Sequence, residues 1–232
     1  GTLEDGPADR VDIYVFMYDK DFSQALLDYF RLTGSPSMIP RYALGNWWSR
    51  NVSYTDETSF QLIRNFEKKR IPLAVMLYDN DWHYRNIGQN IGLKSGYTFN
   101  PNLIKDPKTV IDQFHIRGIR VGLCVNPTEG FYPHEAYYAQ ACKYYGQTDS
   151  SIIKYDPLNP KLMDIMFKIF LHPLESYGVD FFWNDYKGDS NIHNLWATNH
   201  YMYMDSKRNI AKRGMLLSRN SLIAPHRYGI LY

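Results

Sequence analysis

Carboxylates and other polar side chains follow several short apolar runs of this sequence, and the strongest case is GVDFFWNDYKGD at residues 178–189. There an apolar run leads to Asp185, directly after Trp183 and Asn184, whereas Asp180 lies near the start of the same run. A carboxylate at a strand end can act as a nucleophile, a general base or a metal ligand, or it can be a structural cap. Asp185 is therefore the first candidate for chemistry, and we expect Asp180 at the opposite end of the strand.

A second candidate segment is IPLAVMLYDNDWH at residues 71–83, where Asp79 and Asp81 lie two apart beside Tyr78 and Trp82. Carboxylates next to aromatic rings suit the binding of polyhydroxyl compounds, because the rings cover apolar CH faces. The Asp-x-Asp spacing also resembles a pair of calcium ligands, but the later Gly and Glu of an EF-hand loop are missing. We expect one of the two to cap the following loop and Asp79 to be the functional member.

The third segment is MLLSRNSLIAPHRYG at residues 215–229, which carries Arg219 at the end of an apolar run. A guanidinium there can clamp a carboxylate or donate to a sugar hydroxyl, and a structural ion pair is the alternative. His226 and Arg227 are weaker candidates, and the other histidines show no metal-ligand spacing.

The composition excludes several classes of protein. The chain has 232 residues, with 26 Lys and Arg against 24 Asp and Glu, so a large basic face for nucleic acid is not indicated. No run of 18 apolar residues predicts a membrane span, and GTLEDGPADR is not a signal peptide. CxxC, HExxH, GxxxxGK[ST] and GxGxxG are all absent, and Cys124 and Cys142 are expected to be buried thiols. We therefore predict no metal and no cofactor, and the cellular location stays open beyond a default of cytoplasm.

Strand and helix patterns alternate along most of the chain, which favours parallel βαβ units. A strand is predicted at 11–18, and further strands are predicted at 42–48, 73–78, 119–125, 179–183 and 215–217. Helices are predicted between them, with Thr55 or Asp56 as one N-cap, and with Asp106 as another before Pro107. Most of the 20 Tyr, 12 Phe and 5 Trp residues are expected to fill the core.

The polar and aromatic residues at the strand ends favour a barrel over a doubly wound sheet. In a (β/α)₈ barrel the carboxyl ends of several strands converge on one site, whereas a doubly wound sheet uses the one or two strands at its switch point. Five strand ends carry polar or aromatic residues here, beginning with Trp47. Since eight units need about 250 residues, the chain is predicted to be an α/β protein with an incomplete (β/α)₈ TIM barrel.

Six segments taken together resemble glycoside hydrolase family 31, the retaining α-glucosidases and their relatives. In order they are LTGSPSMIPRYALGNWWSR, IPLAVMLYDNDWH, GYTFNPNLIKDP, IRVGLCVNP, VDFFWNDY, and LLSRNS with APHRYG. The resemblance implies that residues 1–20 are the end of an N-terminal β-sandwich and a linker. Residues 21–232 would then be a partial catalytic barrel of about five units, truncated before strands six to eight.

The same resemblance assigns roles to individual residues. Asp185 falls on the catalytic nucleophile, Asp79 on a sugar-binding carboxylate, and Arg219 and Trp47 on residues of the −1 subsite. Trp183 and Tyr186, close to the nucleophile in sequence, are further candidates for substrate binding. Trp82 is another candidate, at the end of the second strand. Many α-glucosidases continue this segment as D-M-N-E, whereas this chain has D-Y-K-G.

The implied chemistry is a double displacement on an oligosaccharide or glycoside that ends in an α-linked sugar, with two carboxyl groups about 5–5.5 Å apart. No carboxylate follows Arg219, so the proton donor is expected just beyond Tyr232, together with the family's later sugar-binding His. We therefore expect a fragment of a longer enzyme, inactive by itself, whose parent chain supplies the rest of the barrel.

Three alternatives remain at this point. The first stays within the family and makes the protein an α-xylosidase, an α-galactosidase or N-acetylgalactosaminidase, or a transglucosylase. The second is a noncatalytic carbohydrate-binding module that uses Asp79, Trp47 and Arg219. The third is a metal-dependent barrel hydrolase that uses Asp79, Asp81 and Asp185.

Overall fold

The secondary structure alternates between strands and helices, as the sequence pattern predicts. The computed structural model describes residues 13–186, 192–219 and 225–231. Its helices are α1 (Phe22–Thr33), α2 (Asp56–Lys68), α3 (Pro107–His115), α4 (Tyr138–Tyr145), α5 (Pro160–Asp164), α6 (His172–Ser176) and α7 (Ile192–Ser206). Its strands are β1 (Trp47–Arg50), β2 (Val75–Tyr78), β3 (Asn86–Ile87), β4 (Asn90–Ile91), β5 (Arg120–Val125), β6 (Phe181–Asn184), β7 (Leu216–Ser218) and β8 (Ile230–Leu231).

Six of these strands form one sheet in the order β1-β2-β5-β6-β7-β8, and every neighbouring pair is parallel. The sheet curls into a half-barrel, and β3 and β4 form a separate antiparallel pair in the loop after β2. Parallel neighbours require crossover connections, which the helices supply. The prediction of an incomplete TIM barrel is confirmed.

Alternation along the strands divides the core between the two faces of the sheet. Met76 and Tyr78 of β2 pack with helix residues, including Ile63 of α2 and Phe114 of α3. The opposite face, which we call the inner face, is formed by Val75, Leu77, Cys124, Phe181, Trp183, Met215 and Leu217. Burial on both faces explains why the strand sequences are almost continuously apolar.

Helix starts follow the predicted caps. The Thr55 side chain accepts a hydrogen bond from Thr58 N at 3.2 Å, so Thr55 rather than Asp56 is the N-cap of α2. Asp106 Oδ1 accepts from Thr109 N at 3.0 Å, with Pro107 at the first helical position of α3. Each cap satisfies a backbone N–H that has no partner within the helix. These caps determine where the chain turns back after a strand.

Four local features differ from the pattern-based prediction. Residues 13–18 form no strand and Ile13 is 77% exposed, because no neighbouring strand pairs with this backbone; residues 11 and 12 lie outside the described part. The first barrel strand begins at Trp47, since residues 41–44 form a 3₁₀ turn. A π-helical segment, Ile165–Leu171, separates α5 from α6 where a single helix is expected between two strands, and β8 was not predicted. The division at residue 20 stays a prediction.

Candidate active site

Asp185 lies at the carboxyl end of β6, next to the last residue of β5. Its backbone N–H donates to Val125 O at 2.9 Å, which extends the β5–β6 pairing by one residue. Phe181 and Trp183 lie on the inner face, so alternation directs Asp185 to that face as well. Only 6% of its side chain is exposed. A carboxylate so deeply buried needs a charged or hydrogen-bonding partner.

Arg219 supplies that partner from the next strand. Its backbone N–H donates to Asn184 O at 3.1 Å just past β7, and its Nε lies 2.6 Å from Asp185 Oδ1. A guanidinium keeps its charge throughout the physiological pH range, so it favours the carboxylate form of Asp185. The structure thus brings together two of the residues that the sequence pattern singled out.

A buried amide network holds the ends of β6 and β7 at this spacing. Asn184 Nδ2 and Ser218 Oγ both donate to Asn199 Oδ1 of α7, each at 2.8 Å. Asn184 Oδ1 in turn accepts from Tyr186 N at 3.1 Å. All three side chains of the network are at most 2% exposed. Sequence reasoning missed it; the available signal was that Asn184 and Ser218 alternate with the inward Asp185 and Arg219.

Cys124 of β5 lies between the strands that carry the other candidates. Burial raises the pKa of its thiol well above the usual range, and the carboxylates of Asp185 and Asp79 raise it further. Both carboxylates therefore act on one buried thiol from the two neighbouring strands, and Arg219 opposes them. The thiol stays protonated at neutral pH, so it packs among the apolar side chains of the inner face and does not act as a nucleophile.

Asp79 and Asp81 have different surroundings. Asp79 directly follows β2, in which Val75 and Leu77 lie on the inner face, so alternation directs Asp79 to the same face as Asp185. Asp81 Oδ1 lies 2.7 Å from Arg85 Nη1, and its Oδ2 accepts from Ser53 Oγ at 3.1 Å. These contacts tie Asp81 to the surrounding loops, as we expected for one member of the pair.

The aromatic candidates divide between the two faces. Trp47 and Trp183 belong to the inner face, where the Trp47 ring lies 5.4 Å from that of Phe181 and its Nε1 donates to Ala43 O at 3.0 Å. Tyr186 instead packs on Tyr155, with ring centroids 5.6 Å apart. Tyr155 OH is 2.8 Å from Thr198 Oγ1 of α7, so these two tyrosines lie towards the helix side of the sheet.

Two further sequence candidates lie at the edge of the described site. Trp82 donates from Nε1 to Cys124 O at 2.8 Å and is 1% exposed, so it braces β5 from the loop after β2. The departure from D-M-N-E falls on Tyr186, Lys187 and Gly188, and the last two lie outside the described residues. Substrate contact by Trp47, Trp183 and Tyr186 stays a prediction.

The amino ends of the strands carry a separate set of paired charges. Asp180 Oδ2 lies 2.7 Å from His115 Nε2 and accepts from Val121 N at 2.8 Å, while its Oδ1 lies 3.1 Å from Arg120 Nη1. A cavity of about 460 Å³ opens at this end, lined by these charged residues and by Tyr42. Asp180 and Asp185 therefore lie at opposite ends of β6, and Asp180 has a structural set of partners.

Metal-binding clusters and membrane-spanning helices are both absent from the described ranges. No group of three or more His, Cys, Asp and Glu side chains there is arranged to hold a metal ion. No helix there is long and apolar enough to cross a membrane.

The chain is similar to glycosidases in both sequence and fold. The "Glycosyl hydrolases family 31 TIM-barrel domain" matches residues 36–232. An α-xylosidase of Saccharolobus solfataricus is 25% identical over 122 residues, which are 52% of this chain and 16% of that protein. An α-glucosidase 2 of Bacillus thermoamyloliquefaciens is 32% identical over 117 residues, which are 50% of this chain and 14% of that protein.

The same fold is found in a solved family 31 dextranase of Flavobacterium johnsoniae in complex with glucose. Its TM-score is 0.73 at 16% identity, over 93% of this chain and 30% of that chain. The match to this chain covers less than a fifth of the length of the two curated relatives. The family match extends over most of the chain, from residue 36 to residue 232, and the chain therefore belongs to glycosyl hydrolase family 31.

Proposed function

We propose that this chain carries the nucleophile and part of the sugar-binding site of a retaining α-glycosidase that acts on terminal α-glucosides. The observation that carries the proposal is the ion pair between Asp185 and Arg219, on the inner face at the carboxyl ends of β6 and β7. In TIM-barrel enzymes that end of the strands is where active sites lie.

Asp185 suits a nucleophile in this reaction. The Arg219 guanidinium keeps its carboxylate ionised and oriented, and burial removes most of the competing water. In the first step a carboxylate oxygen bonds to the anomeric carbon as the glycosidic C–O bond breaks, and a carboxylic acid protonates the leaving oxygen. In the second step that acid, now a base, takes a proton from water, which attacks the anomeric carbon and releases Asp185.

The remaining polar groups suit recognition of a sugar ring. Asp79 approaches from β2, so hydroxyl groups that donate to it would be held on the side of the ring away from Arg219. Trp47 and Trp183 offer apolar surface on the same face for the CH groups of the ring. The proton donor is expected from a carboxyl group outside the set of residues described, since none follows Arg219 in this sequence.

Glucosides are proposed over xylosides on the identity of 32% to an α-glucosidase, against 25% to an α-xylosidase. The two substrates differ only by the hydroxymethyl group on C5. Comparison of kcat/KM on 4-nitrophenyl α-glucoside and α-xyloside, with the full-length gene product, separates them. A preference for the xyloside would replace the glucosidase proposal but keep the family chemistry.

Covalent trapping tests the nucleophile. The full-length gene product is incubated with 5-fluoro-α-glucosyl fluoride, which forms the glycosyl–enzyme bond and hydrolyses slowly. We expect one added fluoroglucosyl group on the peptide that contains Asp185, and none in Asp185→Ala. Asp112→Ala, which removes an exposed carboxylate of α3, is the matched control and should still be labelled.

Three other results would contradict parts of the proposal. Labelling of another carboxylate would reject Asp185 as the nucleophile. Sugar binding with neither labelling nor turnover would indicate a noncatalytic carbohydrate-binding protein. We also propose that the 232-residue polypeptide alone shows little or no turnover, because no Asp or Glu follows Arg219 in its sequence; normal turnover on an aryl α-glucoside would disprove this proposal.

A further inference from the structure

Asn126 directly follows β5 and continues its alternation. Its backbone is extended, with φ −127° and ψ 101°, so its side chain lies on the same face as that of Cys124, two residues earlier. The residue is 1% exposed. Asn126 thus occupies a buried position on the inner face, at the end of the strand between Asp79 and Asp185.

Asn126 is also the cross-strand neighbour of Asp185. Val125 pairs with Asn184 in the parallel register of β5 and β6, and Asp185 N donates to Val125 O at 2.9 Å. The next pair in that register is Asn126 with Asp185, on strands about 4.8 Å apart. Two buried side chains on the same face of neighbouring strands at this spacing lie side by side.

The orientation of the Asn126 amide is determined by Thr128. Asn126 Oδ1 accepts from Thr128 N at 3.1 Å and from Thr128 Oγ1 at 2.5 Å. Because Thr128 N is a donor, the atom facing it must be the amide oxygen. The Nδ2 group therefore points away from Thr128, and its two N–H groups are not used by the cap.

The backbone around Asn126 is held firmly as well. Ser95 Oγ donates to Asn126 O, and Glu129 N donates to Ser95 Oγ at 3.0 Å. Ser95 is completely buried. The position of the Asn126 amide is thus determined from both sides, and it does not depend on a mobile surface contact.

Nδ2 of Asn126 is a buried donor that has no hydrogen-bond partner among the described residues. Leaving such a donor without an acceptor is unfavourable, so its presence needs an explanation. The cap explains the amide oxygen but not the NH₂ group, since Asp or Ser would cap the turn equally well. When the register of β5 and β6 is extended by one residue, the residue paired with Asn126 is Asp185, whose side chain is a carboxylate.

We propose that Asn126 is a positioning residue for Asp185, and that its Nδ2 donates to the carboxylate as the second donor beside Arg219. This inference rests on the proposed function of Asp185 as the nucleophile. A carboxylate has room for several donors, and hydrogen bonds at active sites are often long without substrate and tighten in the complex. Two donors from neighbouring strands hold the carboxylate plane, which aims one oxygen at the anomeric carbon.

Other charged groups around Asp185 must be kept constant in any test. Arg219 approaches from β7, and Asp79 follows β2 on the far side of β5. Arg85 and the Cys124 thiol belong to the same electrostatic neighbourhood. The test variants therefore leave these four residues unchanged and alter Asn126 or Thr128 alone.

Two substitutions at Asn126 separate a donor from a cap. Asn126→Asp keeps the oxygen that caps Thr128 but replaces the NH₂ donor by a second negative charge, and Asn126→Ala removes both. Thr128→Val is the matched control, because it weakens the cap and leaves the NH₂ group in place. Each is measured in the full-length gene product by kcat/KM against pH on an aryl α-glucoside, and by urea unfolding.

If Asn126 positions Asp185, Asn126→Asp lowers kcat/KM by about 10- to 100-fold, because a hydrogen bond to a charged group is lost. The acid limb of its pH profile moves up by about one pH unit, because a like charge favours protonation of Asp185. Asn126→Ala lowers kcat/KM with a smaller movement of the limb, and Thr128→Val leaves the limb in place.

Two outcomes would overturn the inference: an acid limb of Asn126→Asp at the wild-type pH with kcat/KM within about twofold, or an equal movement in Thr128→Val. Covalent trapping distinguishes this failure from that of the proposed function. If Asp185 of the wild-type protein is labelled but the acid limb of Asn126→Asp does not move, only the positioning role of Asn126 is rejected. Absence of label on wild-type Asp185 rejects the nucleophile itself.

Discussion

The Nε atom of Arg219 lies 2.6 Å from Oδ1 of Asp185, and the two residues follow neighbouring parallel strands of the half-barrel. The carboxylate is almost fully buried, whereas the guanidinium is 37% exposed. This arrangement joins a positive group that solvent can reach to a negative group that solvent hardly reaches. Its strength depends on the amide network that holds β6 beside β7.

We expect Arg219→Met to lower kcat by about 10²- to 10³-fold, because a preorganised charge beside the reacting carboxylate is lost. The acid limb of the pH–rate profile should move to higher pH, because an unpaired carboxylate protonates more readily. Arg219→Lys keeps the charge but not the planar guanidinium, so its kcat should lie between those of Arg219→Met and the wild type. Steady-state kinetics from pH 4 to pH 8 would check this, and a wild-type profile in Arg219→Met would contradict it.

The two aspartates after β2 should respond differently to the same substitution. Asp79→Asn should lower kcat/KM by about 100-fold, since a charged acceptor for sugar hydroxyls is lost on the inner face. Asp81→Asn should lower the free energy of unfolding by less than about 1 kcal/mol and leave kcat/KM within about threefold, because its ion pair with Arg85 is partly exposed. Equal kinetic losses in both variants would show that the division of roles is wrong.

Asn199 should contribute to stability well beyond its own contacts. Asn199→Leu removes the acceptor for both Asn184 Nδ2 and Ser218 Oγ. Ser218 Oγ can still donate to Arg219 O at 3.0 Å, so Asn184 Nδ2 is the buried donor that loses its partner. We expect a loss of about 1–3 kcal/mol in the free energy of unfolding, measured in urea. Met204→Ala, at a position of α7 that is 44% exposed, is the control and should change that free energy by less than about 1 kcal/mol. A near-neutral Asn199→Leu would show that the network does not hold β6 and β7.

Alkaline pH should weaken the fold through buried protonated groups. Burial raises the pKa values of the Tyr78 and Tyr155 hydroxyls and of the Cys124 thiol above their ordinary values. As the pH rises, these groups lose their protons in the unfolded chain before they do so in the folded protein. Their contribution to the free energy of unfolding is therefore fully present below about pH 8 and declines above it. Each group contributes up to about 1.4 kcal/mol per pH unit once its unfolded form is ionised.

Urea unfolding between pH 8 and pH 11 would measure this decline. In Tyr78→Phe the free energy of unfolding should fall less steeply with pH above about pH 10. The difference in slope should be the contribution of one ionising group, up to about 1.4 kcal/mol per pH unit. Its stability at pH 7 supplies the baseline, because the hydrogen bond between Tyr78 OH and Ser59 Oγ, at 2.8 Å, is lost at every pH. An unchanged slope would mean that Tyr78 ionises in the folded state.

Much of the fold could be predicted from apolar runs and helix caps, because both depend on residues that are close together in the sequence. Short apolar runs bounded by polar residues identified five of the six strands of the main sheet, and Asp106 with Pro107 identified the start of α3. The run at 11–18 has the same pattern, yet residues 13–18 form no strand. A strand exists only where another backbone satisfies its hydrogen bonds, and no local pattern contains that partner.

The candidate site divides in the same way. The sequence by itself determined that Asp79, Asp185 and Arg219 directly follow apolar runs, and such runs favour buried strands that end at the edge of a core. Only the tertiary structure decided that Arg219 pairs with Asp185 at 2.6 Å and that Asp81 is tied to Arg85 instead. It also decided that Asn126 is buried at the end of the strand next to the one that carries Asp185. These relationships depend on the register of parallel strands, which is set by crossover helices and inner-face packing far from each residue in the sequence.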